Sequence, residues 1–343
     1  MLQLSQIIEK NLDRHRRCET GLWINPEKDS VWLKARDSCA LLRLICQDFG
    51  AFEFHQQAGA DVEFATIPDQ AKQACQWIIL NLPRQKALLG MLLEYAASRL
   101  AEDGVVWLAG ENKAGIKSAD KLLKGRFSVV NKLDSARHCT LYEAARPLNK
   151  TVFRLRSYQQ QWVLEFRQEQ IKLVSYPGVF AHGRLDGGTA LLLDSLSNMD
   201  FSGDVLDFGC GTGVIGTCVA VCNQDARLTF LDSNALAIQA CRETMAANKI
   251  NGCVLPSNGL SAVTGRYDMV ISNPPIHTGV KTDNRLGMRL LESVHQHIRP
   301  GGGLILVANR HLPYENWLSD NFRQVKEIAA DHNFKVISAT VRE

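Results

Sequence analysis

Long apolar runs are missing from this sequence of 343 residues: nowhere do about 18 apolar residues follow one another, as a membrane-spanning helix requires. The first residues, Met1 to Asp13, mix polar and apolar positions in a helical pattern and lack the zones of a secretory signal. A cytoplasmic protein is therefore expected. Ten cysteines are present without a CxxC pair, and Cys218, Cys222 and Cys241 sit among apolar residues. Reduced packing thiols are expected rather than disulfides, and no metal site is expected. An excess of one charge sign is missing too. The net charge is +3, with Lys plus Arg leading Asp plus Glu by 21 to 18 over residues 1–150 and equal at 18 each beyond. So even a balance says little about partners.

What is present is the composition of a soluble globular protein, 45% hydrophobic and 22% charged, long enough for two domains of about 150 residues each. The small positive excess gathers at Lys113, Lys117, Lys121, Lys124, Arg126, Lys132 and Arg137, with only Asp120 and Asp134 between them. Such a run can grip phosphates, and it can equally be a solvated helix face.

Two stretches repeat one order of elements. The apolar strand Trp77 to Leu80 leads into Asn81-Leu82-Pro83-Arg84, a helix over about residues 85–100, Asp103-Gly104 and the strand Val105 to Ala109. Later, Met269 to Ile271 leads into Ser272-Asn273-Pro274-Pro275, a helix over about residues 286–298, Pro300-Gly301-Gly302-Gly303 and the strand Leu304 to Ala308. The match predicts an internal duplication. Between the copies, Val152 to Leu155, Trp162 to Phe166 and Ile171 to Val174 alternate with period two, which predicts strands forming a linker or hairpin over residues 151–176.

The second copy carries more. Asp204 to Phe208 reads as a buried strand, and Gly209-Cys210-Gly211-Thr212-Gly213 turns it into a helix over Val214 to Cys222. Glycines permit positive φ and let a ligand approach the backbone at a helix N-terminus. About twenty residues on, the strand Leu228 to Asp232 ends in a carboxylate suited to two ribose hydroxyls. An adenosine-containing cofactor is implied. Gly211, Gly213 and Gly216 also satisfy the dinucleotide spacing. Asp207 argues for S-adenosylmethionine instead, because a carboxylate beside the loop would repel a pyrophosphate and suit an ammonium. The terminal hairpin, Phe322 to Ile328 and Phe334 to Val341, adds one antiparallel edge strand to a mostly parallel sheet.

Asn273-Pro274-Pro275 ends its strand with two residues that cannot extend a ladder, and Pro274 keeps Asn273 out of the helical region. The Asn side chain and the adjacent carbonyls can then converge on an amine with two hydrogens. Alone, the motif is equally a loop after a strand. No Pro-Cys pair stands on the site loops, which argues against a cysteine nucleophile.

Asp207 to Gly213, Asp232 and Ser272-Asn273-Pro274-Pro275, in that order, resemble class I methyltransferases that modify exocyclic or amide nitrogens. Pro177-Gly178-Val179-Phe180, Leu185-Asp186-Gly187-Gly188-Thr189, His277-Thr278-Gly279 and Val307 to Tyr314 narrow the resemblance to the ribosomal RNA small-subunit methyltransferase C family. It implies two tandem homologous Rossmann-type α/β domains. Residues 1–150 would be a degenerate copy with a substrate or scaffold role, and residues 177–343 the catalytic copy. It also implies methylation of N2 of a 16S rRNA guanosine, conventionally position 1207, within the small subunit; a monomer is expected.

By the same resemblance Gly209, Gly211 and Gly213 line the cofactor, Asp232 holds its ribose, Asn258 lies near its adenine, and Asp186 and Thr189 lie near its methionine end. Asn273 and Pro274 orient the amine and Pro275 completes the turn. Ile276 stands where an aromatic residue is usual, so base stacking falls to His277 or to a residue elsewhere in the chain, and His277 is also a candidate general base. Rivals are an adenine-N6 or a release-factor glutamine methyltransferase, a nicotinamide oxidoreductase, and a non-catalytic RNA-binding protein.

Overall fold

The computed structural model describes residues 2–67, 74–274 and 293–341. The chain divides into two compact units, Met1–Tyr158 and Gln159–Glu343.

In the first unit α1 (Gln3–Asn11) buries Leu4, Ile7 and Ile8, spaced three and four apart, on one face. Then come β1 (Cys18–Ile24), α2 (Val31–Asp37), β2 (Cys39–Cys46), α3 (Phe49–Gln57), β3 (Val62–Phe64) and β4 (Cys75–Asn81). The unit continues with α4 (Lys86–Arg99), β5 (Leu100–Glu111), α5 (Ile116–Lys124), β6 (Phe127–Ala136) and β7 (Cys139–Pro147). Its strands form one seven-stranded sheet in the order β3-β2-β1-β4-β5-β7-β6. β4 is central, which is why Trp77 to Leu80 is a continuous apolar run without alternation and fully buried. α5 buries Ile116, Ala119 and Leu123, so Lys117, Lys121 and Lys124 face outward. Lys124 pairs with Asp120 at 2.8 Å and Lys113 with Glu111 at 3.2 Å. Residues 151–158 stay with this unit, the Phe153 ring lying 5.4 Å from Tyr95 and 5.7 Å from Tyr158.

The second unit opens with a hairpin, β8 (Gln160–Phe166) and β9 (Glu169–Ser175). Of the alternating segments expected as strands, Trp162 to Phe166 and Ile171 to Val174 form this hairpin, whereas Val152 to Leu155 forms no strand. Phe166, Ile171 and Leu173 of the hairpin enter the core of the unit. The unit continues with α6 (Gly187–Leu196), β10 (Gly203–Phe208), α7 (Val214–Cys222), β11 (Ala226–Asp232), α8 (Ala235–Ala247), β12 (Gly252–Pro256) and β13 (Tyr267–Ser272). It ends with β14 (Ile298–Asn309), α9 (Tyr314–Leu318), β15 (Phe322–Ala330) and β16 (Phe334–Val341). The hairpin backs onto α8: the Val174 N–H donates to Thr244 Oγ1 at 3.0 Å, and the Lys172 N–H to Asn248 Oδ1 at 2.9 Å.

The second sheet repeats the first, in the order β12-β11-β10-β13-β14-β16-β15. The terminal hairpin is present, with one difference from expectation: the antiparallel strand is not at the edge. β16 inserts between β14 and β15, antiparallel to both. The residues account for this, because β16 buries Val336, Ile337 and Ala339 whereas β15 carries Arg323, Gln324, Lys326 and Glu327, suited to a solvated edge. The insertion departs from the dinucleotide-binding order, whose sixth strand follows the fifth directly in the sheet. That weighs against a nicotinamide enzyme.

Candidate active site

The parallel strands β10, β11 and β13 are in register so that Phe208 lies between Leu231 and Ser272, and the site residues cluster just beyond those three positions. Two backbone donors fold the loop after β10 over its neighbour. Gly209 N–H and Cys210 N–H both donate to the Leu231 carbonyl, at 2.8 and 2.9 Å. Gly209 and Gly211 have φ of 69° and 54°, and a Cβ at either would meet nothing within 4 Å. Their faces are open, and their left-handed backbone is why the positions are glycine. Gly213, with φ of 77°, is different: a Cβ there would lie 2.7 Å from Cys241 Sγ, so this glycine lets the start of α7 settle onto α8.

Asp232 closes the loop from the side. Its carboxylate accepts the Gly211 N–H at 2.9 Å and the Asn234 N–H at 2.8 Å. Asn234 caps α8 by accepting the Leu236 N–H at 2.8 Å and donates its own amide to the Gly178 carbonyl at 3.2 Å. Asn258 follows Ser257, whose N–H donates to the Asp232 carbonyl at 3.0 Å, so its loop also adjoins the end of β11. Asn234 and Ser257 were not singled out from the sequence, although Asn234 stands immediately before a helix, a detectable cap signal.

Asp207 lies beneath the loop, not at its mouth. It is 1% exposed and accepts the Gly216 N–H at 2.8 Å, while its other oxygen has no hydrogen-bond partner among the described residues. Burial pushes its carboxyl up to about 7, against the Gly216 bond and with help from the Asp232 charge. Gly216 is required for this fit: a Cβ would meet Phe230 Cε1 at 2.3 Å and Asp207 Oδ2 at 3.0 Å.

Asn273 stands at the end of β13. The preceding Ser272 is buried and donates its hydroxyl to the Phe208 carbonyl at 2.8 Å, which holds the strand end against β10. The Asn273 Nδ2 donates to Asp186 Oδ2 at 3.1 Å and to Thr189 Oγ1 at 2.8 Å. Asp186 also caps α6, accepting the Thr189 N–H at 3.1 Å. The structure thus joins two residues expected at the methionine end to the residue expected at the amine. Pro274 is buried, and Pro275, Ile276, His277 and most of the helix expected over residues 286–298 lie outside the described residues. Only the end of that helix is described, as a single 3-10 turn over Val294–His297.

Open glycines, a carboxylate at the end of the next strand and a helix N-terminus fit an adenosine-bearing ligand. Residues 170–338 match the methyltransferase small domain family and residues 5–162 its N-terminal counterpart, the methyltransferase small domain N-terminal family. The ribosomal RNA small subunit methyltransferase C of Shewanella amazonensis is 33% identical over 97% of this chain and 97% of its own length. The chain belongs to the ribosomal RNA small subunit methyltransferase C family. Its counterpart from Pseudomonas putida is 40% identical over 83% of this chain and 86% of its own length. A similar fold is found in the T. thermophilus 16S rRNA N2 G1207 methyltransferase, solved with AdoMet and guanosine. The match has a TM-score of 0.84 at 20% identity and covers 98% of this chain and 92% of that one.

Proposed function

We propose that this chain methylates the exocyclic N2 amine of a 16S rRNA guanosine, conventional position 1207, in the small ribosomal subunit, with S-adenosylmethionine as methyl donor. The carrying observation is the Asn273 amide, held at the strand end beside the glycine loop with its nitrogen engaged by Asp186 and Thr189. S-adenosylmethionine, when bound, would supply an electrophilic sulfonium methyl whose C–S bonding pair stays on sulfur as the amine lone pair forms the new C–N bond.

The chain's own residues bind and orient. Gly209 and Gly211 offer open backbone to the cofactor, and Gly213 and Asp207 hold that backbone in place from below. Asp232 takes the ribose hydroxyls and Asn258 lies at the adenine. A guanine amine is a weak nucleophile because its lone pair is delocalised into the ring. When Asn273 Oδ1 and the Pro274 carbonyl accept its two N–H groups, the lone pair turns towards the methyl, and orientation supplies most of the rate. The surplus proton leaves to water after transfer, so no strong base is needed. The guanine must be unpaired or flipped to reach this point.

Domain roles follow from the same reading: residues 1–150 act as scaffold and substrate grip, with the outward lysines of α5 against phosphates, and residues 177–343 act as the catalyst. The protein works as a cytoplasmic monomer without a metal. Nucleoside mass spectrometry of 16S rRNA from a deletion strain tests the reaction. Loss of one 2-methylguanosine, restored by the plasmid-borne gene, is expected. An unchanged 2-methylguanosine content, or loss of an N6-methyladenosine instead, would overturn it.

A further inference from the structure

We propose that Asp186 and Thr189 are positioning residues that fix which edge of the Asn273 amide faces the substrate. This rests on the reading of Asn273 as the amine acceptor and adds the reason that it accepts. An amide side chain can present its oxygen or its nitrogen, and the two settings differ by a half-turn of one bond. An ionised carboxylate accepts hydrogen bonds and cannot donate them, so the Asn273 atom 3.1 Å from Asp186 Oδ2 must be the nitrogen. The second amide hydrogen goes to Thr189 Oγ1 at 2.8 Å. Both hydrogens are thereby used.

The edge left for the substrate carries only an acceptor. It admits a group with hydrogens to give, such as an exocyclic amine, and repels a carbonyl or a bare ring nitrogen. The pair is therefore a specificity device: guanine presents its N2 amine to this edge and its O6 carbonyl is refused. The carboxylate behind the amide also polarises it, which places more negative charge on Oδ1. Asp186 performs this from the N-cap of α6, where the Thr189 N–H holds it at 3.1 Å, so the start of the helix sets the amide's orientation.

Asp186→Asn tests the lock while keeping a competent helix cap, because Asn caps as well as Asp. One oxygen of Asp186 accepts both the Thr189 N–H and the Asn273 amide, so an Asn that keeps the cap keeps the geometry but removes the charge, and holds the Asn273 amide less firmly. The rate at saturating S-adenosylmethionine on subunits from the deletion strain is expected to fall by about tenfold or more. Because the rate is read at saturating cofactor, any change in cofactor affinity, measured separately by calorimetry, does not enter it. Thr189→Val is expected to lower the same rate and Thr189→Ser to retain it.

A readout independent of turnover is the side-chain amide of Asn273 in selectively labelled, cofactor-free protein. Its two hydrogens are expected to give sharp, well-separated resonances that move and broaden in Asp186→Asn. If Asp186→Asn weakens cofactor binding while the saturated rate and the amide resonances stay as in wild type, the pair serves the cofactor alone and the proposal fails. If instead the wild-type protein leaves guanosine unmethylated but shows the locked amide, the lock stands and the proposed reaction falls.

Discussion

The two units share a strand order and differ at the positions where a ligand would bind. Gly21 pairs with Trp77 as Val205 pairs with Met269, and the parallel registers then match position for position. Trp23 stands where the second unit has Asp207, Asn25 where it has Gly209, Cys46 where it has Asp232, and Asn81 where it has Asn273. The backbone survives these exchanges. Asn25 keeps a positive φ of 55°, and its N–H donates to the Ile45 carbonyl at 2.7 Å, as Gly209 does to Leu231. The chemistry does not survive. The Trp23 indole N–H donates to Asn81 Oδ1 at 3.0 Å, so the oxygen proposed to accept substrate in one unit is capped by a buried ring in the other. Asn25 and Gln47 satisfy each other through two bonds of 2.9 Å in the region of the lost cofactor loop. A fold is maintained by many apolar contacts, and a site by a few positions, so the second can be lost without the first.

Trp23→Ala breaks this comparison most severely. The indole is 1% exposed, so its removal is expected to cost the first unit about 3–5 kcal/mol, read as a shift of its urea transition. An unmoved transition would mean that the ring is no structural plug. Next come Asn273→Ala and Asn81→Ala, made side by side. The first is expected to lower methyl transfer by about a hundredfold or more, with cofactor affinity kept, by analogy with loss of one preorganised group elsewhere. The second is expected to leave transfer at the wild-type rate. Equal losses in the two variants would contradict the division of labour.

The last comparison concerns Asp207, whose counterpart Trp23 cannot titrate. Its carboxyl is raised to about 7 in the folded protein, so between about pH 4 and 7 the folded state holds a proton that the unfolded state releases. Wild-type stability from this group is therefore full at low pH and declines as pH rises through 7. Asp207→Asn removes the decline. In cofactor-free protein, its melting temperature relative to wild type is expected to climb from pH 4 to 7 and to level off above. A difference independent of pH would rule out an ionising group at that depth.

Much of this was legible in the sequence because it leaves local marks. Glycines at left-handed positions, an acid at a strand end and prolines that stop a strand are each visible within a few residues. The repeated strand-turn-helix order likewise exposed the duplication, and two sheets of one topology follow from it. The contact of Asp186 with Asn273 spans 87 residues, and no spacing rule reports it. The burial of Asp207 was readable, since it lies within the apolar run Val205 to Phe208 of a strand buried on both faces. The edge position of β15 was not, because pairing between distant strands is decided by burial of whole faces. Nor was the role of Trp23, which in a buried strand reads as one more apolar residue until register sets it beside Asn81.

Gly216 belongs to a spacing shared by nicotinamide and methyl-transfer sites, yet in this protein its N–H is taken by Asp207 and its α-carbon faces the Phe230 ring: its missing side chain is a gauge of height. With 2.3 Å between a would-be Cβ and the Phe230 ring, even one added carbon lifts α7 off the sheet. The glycine loop is the front edge of that helix and would rise with it. The depth of the cofactor cradle is thus set from underneath, by a residue that no ligand map would mark. Natural variation at position 216 should be read as variation in cradle depth.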